Sequence, residues 1–256
     1  MNTKIKTILL GLALGLTVSA VAGEPKVVAH RGYWKADGSA QNSIRSLVKA
    51  DSIGCFASEF DVWMTKDGHL VVNHDATYNG LEIQKSKAKK VLAQQLSNGE
   101  YLPTLEQYLD TAAVLKDSRI VCELKSHKNK KQEEKAVKAI VKMMAEKGLS
   151  DRVDYITFSK EAMLNFIKYA PAGTEVYYLN GEMSPAELKE VGAAGMDYNQ
   201  KVFVKHPEWI QECHDLGLKV NVWTVDKEKD MQRLIDQGVD FITTNKPETL
   251  QKLLKK

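Results

Sequence analysis

The sequence is sparing in anything that would cross-link it, tether a second unit or hold it in a membrane. Its three cysteines, Cys55, Cys122 and Cys213, are scattered through 256 residues. They are too few and too dispersed for a disulfide framework, and they lack the spacing of a thiolate metal site. Cys122 falls in the strand-like Ile120-Val121-Cys122 and Cys55 beside Gly54. Buried free thiols are therefore expected, with one disulfide and an odd thiol as the alternative. No stretch gathers Pro, Gly or Ser into a linker, and no repeat or low-complexity segment occurs beyond two local lysine clusters, at 85–90 and 125–131. A charge excess of one sign is missing too. The formal net charge of +3 argues against wholesale attraction to nucleic acid or to an acidic membrane. After residue 22 no apolar run is long enough to span a bilayer.

What is present starts with Lys4 and Lys6, an apolar run over 8–18, and small residues at Ala20 and Ala22. This pattern reads as a secretory signal peptide covering 1–22, and no cysteine follows that could carry a lipid. The apolar run is shorter than the ~20 residues a membrane span needs, which disfavours an uncleaved anchor helix. The rest of the chain is thus expected to be exported, periplasmic or secreted, without a stable membrane anchor. Losing Lys4 and Lys6 takes the net charge from +3 to +1. Residues 23–256 read as a single domain; about 230 residues bury a full core, and α/β barrels often have this length.

Short β-rich runs alternate with amphipathic stretches, which is the signature of parallel βα units. Strands are predicted at 27–30, 57–61, 119–124, 153–158, 174–178, 195–198, 219–223 and 239–243. Helices are predicted at 43–53, 104–116, 131–147, 160–169, 184–192, 206–216, 227–236 and 247–254. Ser184-Pro185, His206-Pro207 and Asp226 read as helix starts. Eight strands, each followed by a helix, are the complement of a TIM (β/α)8 barrel. One region breaks the rhythm. After Asp61 the chain passes through the turn Lys66-Asp67-Gly68 into Leu70-Val71-Val72-Asn73-His74, and reaches the next long helix only at Thr104. A small insertion after the second strand, roughly 62–103, is therefore expected over the C-terminal face.

Side chains alternate along a strand, so Glu59 and Asp61 share one side, as do Val121, Glu123 and Lys125. In a barrel, Glu59, Asp61 and Glu123 would converge at the C-terminal mouth. Three carboxylates at such spacing repel unless a cation sits among them, and hard oxygen ligands favour Mg²⁺ or Ca²⁺. An isolated Glu-x-Asp is as well explained by a rim salt bridge; the acidic residue on the neighbouring apolar strand favours the metal site. His30 and His74 each close a strand-like run. Two imidazoles at one end of a barrel suit a general acid and base pair. Arg31 adds a forked donor for a phosphate oxygen, and Gly32 lets the backbone turn closely. His69, His127, His206 and His214 sit in turn, loop or helix contexts and receive no role.

Together these residues resemble the glycerophosphodiester phosphodiesterase family. The likeness rests on His30-Arg31-Gly32, Glu59-Phe60-Asp61, Thr65-Lys66-Asp67-Gly68, Asn73-His74-Asp75, Glu123-Leu124-Lys125 and Trp223-Thr224-Val225, in the family's order. It implies a TIM barrel with a small insertion, and a divalent cation held by Glu59, Asp61 and Glu123. It also implies His30 and His74 as the acid and base, Arg31 and Lys125 on the phosphate, and Trp223 walling the alcohol side. The chain departs from the family at two places. Ala40-Gln41-Asn42-Ser43 stands where Pro-Glu-Asn-Thr is usual, and Tyr78-Asn79-Gly80-Leu81 where Arg-Thr-Thr often follows the His-Asp pair.

The implied reaction is hydrolysis of a small-molecule phosphodiester to an alcohol and glycerol 3-phosphate, either by water or through a cyclic phosphate formed by a neighbouring hydroxyl. The closest alternative is a phospholipase-D-like or cyclising lyase activity on the same barrel. A non-catalytic binding protein has only Gln41 in its support.

Overall fold

The computed structural model describes residues 23–115 and 118–255; the expected signal peptide lies outside them. The first half of the chain forms β1 (Lys26–Ala29), α1 (Ile44–Ser52), β2 (Ala57–Met64), β3 (Leu70–Val72), β4 (Thr77–Tyr78), β5 (Leu81–Glu82), α2 (Ala88–Val91) and α3 (Leu105–Val114). Then come β6 (Arg119–Leu124), α4 (Lys130–Glu146), β7 (Val153–Thr157), α5 (Lys160–Tyr169), β8 (Val176–Tyr178), α6 (Pro185–Glu190), β9 (Gly195–Asn199) and α7 (Gln200–Lys205). The chain finishes with α8 (Trp209–Asp215), β10 (Lys219–Trp223), α9 (Glu228–Asp236), β11 (Phe241–Thr244) and α10 (Pro247–Leu254).

Strands β1, β2, β6, β7, β8, β9, β10 and β11 pair in parallel in that order, and β11 pairs back to β1. The sheet therefore closes on itself, giving the predicted TIM barrel. Period-two alternation splits each strand between two environments. On β2, Phe60, Val62 and Met64 face outward into the main core under the helices, where Phe60 packs on Tyr108 of α3 at 4.4 Å. Ala57 faces into the barrel, where Val28, Val121, Ile156, Tyr177 and Phe241 form a smaller cluster. All three cysteines are buried and free.

Local chemistry sets where the helices begin. Ser43 caps α1, and capping boxes pair Thr104 with Gln107 on α3 and Ser184 with Glu187 on α6. Three expectations change. The helix expected from 206 begins at Trp209, because the His206 N–H closes the preceding α7 by donating to the Val202 carbonyl at 2.8 Å. The short α7 itself has no counterpart among the predicted helices. Asp226 does not cap α9, whose N-cap is Lys227; its carboxylate is used elsewhere.

Between β2 and α3 the chain leaves the barrel. Residue β3 pairing is antiparallel to the end of β2, Met64 opposite Leu70, through a turn closed by Gly68 at φ 86°. Asn79 and Gly80, at φ 46° and 78°, then turn the two-stranded ribbon β4-β5; positive φ at both central positions is what a type I′ turn requires. A separate apolar cluster, including Trp63, Val71, Ile83, Val91 and Leu102, packs this region. No helix among the described residues is long and apolar enough to cross a membrane.

Candidate active site

Parallel pairing of β2 with β6 puts Glu59 opposite Val121 and Asp61 opposite Glu123. With all three carboxylates inside the barrel, Glu59, Asp61 and Glu123 each bring an oxygen within 4.8 Å of the others, and all three are buried. Lys125 Nζ lies between two of them, 3.2 Å from Asp61 and 2.7 Å from Glu123. Asn42 clamps Asp61 from both sides: its Nδ2 donates to Oδ2 at 2.8 Å, and its Oδ1 accepts from the Asp61 amide at 3.1 Å. Glu59 is held at one oxygen by the Arg31 amide, 2.7 Å away, while its buried Oε1 has no protein partner.

These environments drive the carboxyls apart. Burial, then Asp61 and Glu123, push Glu59 well above the usual carboxylate range. Burial, then Asp61, push Glu123 up to about 8. Burial acts on Asp61 in the same sense, but Lys125, His74, Asn42 and Arg31 outweigh it and hold Asp61 below its ordinary value. A hard divalent cation fits this donor set: three converging carboxylates, one with an orphaned buried oxygen, whose mutual repulsion a second positive centre would relieve.

His30 leaves β1 at the mouth of the barrel. Its Nδ1 is 2.9 Å from Asn245 Oδ1, and Trp34 Nε1 donates to the same oxygen at 2.8 Å. Asn245 is itself fixed by Asp226, which accepts from its side-chain amide and its backbone N–H, each at 2.8 Å. An indole N–H only donates, so the atom it meets on Asn245 is the carbonyl oxygen. His30 Nδ1 must then carry the proton, and Nε2 presents a lone pair. Burial, then Arg31, lower the His30 pKa to about 4, so the ring is neutral near pH 7. His74 arrives from outside the barrel, two residues after β3, where the Asn73 N–H donates to the Asp61 carbonyl at 3.0 Å. Its Nδ1 meets Asp75 Oδ1 at 2.6 Å. Burial lowers its pKa as well, with Asp61 and Asp75 opposing.

Both histidines line one cavity of about 100 Å³ with Arg31, Glu59, Glu123, Lys125 and Trp223. Arg31, at φ 58°, donates from its guanidinium to Gln41 Oε1 at 2.5 Å, and its buried Nε has no hydrogen-bond partner. Gln41 thus occupies the guanidinium without neutralising it. Trp223 is anchored by donating to the Asp197 carbonyl at 2.7 Å, and its ring meets Phe158 edge-on at 5.6 Å.

The structure brings together all eight residues singled out in the sequence, and adds supports that sequence reasoning missed. Asn42, Asn245 and Asp226 are three of them. His127 is another: it meets the Lys125 carbonyl through Nδ1 at 2.7 Å and accepts the Met64 N–H on Nε2 at 3.1 Å, tying β2 to the segment that carries Lys125. Asn245 follows the last strand directly, a position where the barrel face would have flagged it; nothing in the spacing points to His127.

Residues 30–249 match the Glycerophosphoryl diester phosphodiesterase family. The chain belongs to this family. As a phosphodiesterase it has full-length relatives. It is 33% identical over 246 residues to a glycerophosphodiester phosphodiesterase of Caldanaerobacter subterraneus, spanning 90% of this chain and 98% of that one. A crystal structure of a glycerophosphodiester phosphodiesterase from Parabacteroides distasonis is 52% identical with a TM-score of 0.89, covering 91% of this chain and 97% of that one. A phosphodiesterase from Oleispira antarctica, solved with the product sn-glycerol-3-phosphate, shares the fold at a TM-score of 0.78 and 22% identity, covering 91% of this chain and 98% of that one.

Proposed function

We propose that this phosphodiesterase hydrolyses glycerophosphodiesters to an alcohol and glycerol 3-phosphate, using one divalent cation, Mg²⁺ or Ca²⁺, and His30 and His74 as a proton-transfer pair. The observation that carries this reading is the single cavity in which two differently supported imidazoles face Glu59 and Glu123, two of three converging carboxylates. The likeness to glycerophosphodiester phosphodiesterases of Caldanaerobacter and Parabacteroides supports the substrate class.

Glu59, Asp61 and Glu123 hold the cation, which when bound offsets negative charge on the phosphate. Arg31 and Lys125 bind the phosphate oxygens. His30, neutral and with its Nε2 lone pair set by Asn245, takes the proton of the attacking hydroxyl, whether of water or of the substrate's own glyceryl group. His74, whose Nδ1–H is held by a carboxylate, supports a protonated ring better and delivers a proton to the departing alkoxide. Trp223 walls the substrate cavity. The charged-then-apolar pattern of residues 1–22 supports export, and with it a substrate met outside the cytoplasm.

Product analysis on a panel of glycerophosphodiesters tests the reading. Glycerol 3-phosphate should appear, be abolished by EDTA and return with Mg²⁺ or Ca²⁺. No turnover of any diester under any metal would overturn it, and a cyclic phosphate as the final product would replace hydrolysis by the cyclising lyase.

A further inference from the structure

The barrel interior holds a carboxylate that neither the metal cluster nor the proton relay uses. Asp197 lies on β9, faces inward opposite Asn221 of β10, and is 2% exposed. Its Oδ1 is buried without a hydrogen-bond partner. Burial pushes the Asp197 carboxyl up to about 7, opposed by Asn221, which also donates to Thr243 Oγ1 at 2.9 Å. The contrast with Asp154, the neighbouring inward carboxylate, is direct: Asp154 is paired with the Arg119 guanidinium at 2.5 Å. Leaving a carboxyl oxygen buried and unpaired is costly, and among the described residues Asp197 is the only carboxylate outside the metal cluster left so, which points to a partner that arrives with a ligand.

Asp197 lines the catalytic cavity together with Trp223 and Thr243. Asp197 also borders a pocket of about 10 Å³, shared with Asn221 and Tyr177, with room for no more than one water. Around Asp197 the catalytic cavity is walled by Ile156, Phe158, Leu179 and the Trp223 ring. A lone carboxylate at the floor of an apolar wall suits a short chain whose carbons pack on the aromatics and whose hydroxyls donate inward. On the His74 side, a second chamber of about 360 Å³ opens past Gln41, Tyr78 and Ser97. The two chambers differ by more than threefold in volume, so the small one suits the three-carbon arm common to all glycerophosphodiesters and the large one suits the variable arm.

We propose that Asp197 is a specificity-determining residue that accepts hydrogen bonds from the hydroxyls of the diester's glyceryl arm, which packs against Trp223 and Phe158. This rests on the glycerophosphodiester reading above and names which arm the barrel interior recognises. A site that offers a buried acceptor to a substrate hydroxyl penalises the analogue lacking it, because the acceptor is then left unpaired.

The test compares two competitive inhibitors of diester turnover by the metal-loaded protein: glycerol 3-phosphate and propyl phosphate, which has the same carbon chain without the hydroxyls. Assayed above pH 8, where Asp197 is ionised, the wild type should bind glycerol 3-phosphate about 10- to 150-fold more tightly, the range of a hydrogen bond to a charged group. Asp197→Leu should bring the two inhibition constants together, while Asp197→Asn, isosteric and still an acceptor, should keep part of the preference. Because the readout is a ratio, a general loss of metal or phosphate affinity does not mimic it. A wild type indifferent to the hydroxyls, or a ratio unchanged in Asp197→Leu, overturns the proposal while leaving the phosphodiesterase reading intact. Absence of any diester turnover in the wild type would instead overturn that reading and this inference with it.

Discussion

At the residue scale the two imidazoles differ in what holds them. His30 leans on a neutral amide, Asn245, that Trp34 and Asp226 lock in one orientation, whereas His74 leans on the carboxylate of Asp75. Replacing either histidine with alanine is expected to lower kcat by orders of magnitude with the fold intact, since general acid–base groups typically supply about 10²- to 10⁴-fold. Steady-state kinetics on folded His30→Ala and His74→Ala protein checks this, and wild-type turnover in either rejects the pairing. Asn245→Leu tests the tautomer argument. It removes the acceptor that fixes Nδ1–H and should depress kcat with little change in KM; a pure KM effect would show that Asn245 serves binding instead. Asn42 matters for a different reason, since its two contacts keep the Asp61 carboxylate turned toward Lys125 and Glu123.

At the scale of elements, close backbone approach places the groups. Gly32, at φ 73°, donates its N–H to the Glu59 carbonyl at 3.0 Å and sits against α1. A Cβ there would lie 2.3 Å from Ser46 Oγ and 2.7 Å from the Ser46 carbonyl carbon. Gly32→Ala must therefore push α1 away from the loop carrying His30 and Arg31. A loss of about 1–3 kcal/mol is expected from the overpacking, together with lower activity, and urea unfolding with a parallel assay measures both. Unchanged stability would mean that the loop yields without cost. The hairpin β2-β3 works at the same scale: it carries His74 back over the barrel mouth, which no parallel strand followed by its helix would do.

For the whole molecule, the concentration of acidic groups couples folding to pH and to metal. Glu123 titrates near 4.5 when exposed and is pushed to about 8 in the fold. Between these values the folded chain keeps a proton that the unfolded chain has released, so stability falls as pH rises through that window. Glu59 acts in the same direction; Asp61, held below its ordinary value, acts oppositely but only in more acidic solution. The lowered His30 and His74 act oppositely below about pH 6.5, so the metal-free protein should melt at a lower temperature near pH 8 than near pH 6.5, and Mg²⁺ or Ca²⁺ should raise Tm more at the higher pH. Thermal melts with EDTA and with each cation decide it. Equal metal effects at both pH values would show that the three carboxyls do not hold the ion together.

The sequence by itself determined the period of the fold and most of the chemical inventory. The eight strands were legible because a barrel strand must be β-rich and short, and strand alternation already set Glu59 with Asp61 and Glu123 with Lys125. Asn79-Gly80 carried a hairpin signature as well, although it stood out first as a departure from the family motif. Helix starts were less secure. Asp226 has the chemistry of a cap, and only the packing of β11 against β10 shows that Asn245 takes its carboxylate instead. Closure decided the rest: it brought residues from β1, β2, β6 and the segment after β11 within hydrogen-bond reach, over separations as long as the 215 residues between His30 and Asn245. Local spacing cannot encode which oxygen of Glu59 is left unpaired, which nitrogen of His30 carries the proton, or that Asp197 faces the cavity. Those follow from burial, and burial is set by what the chain packs against far along its length.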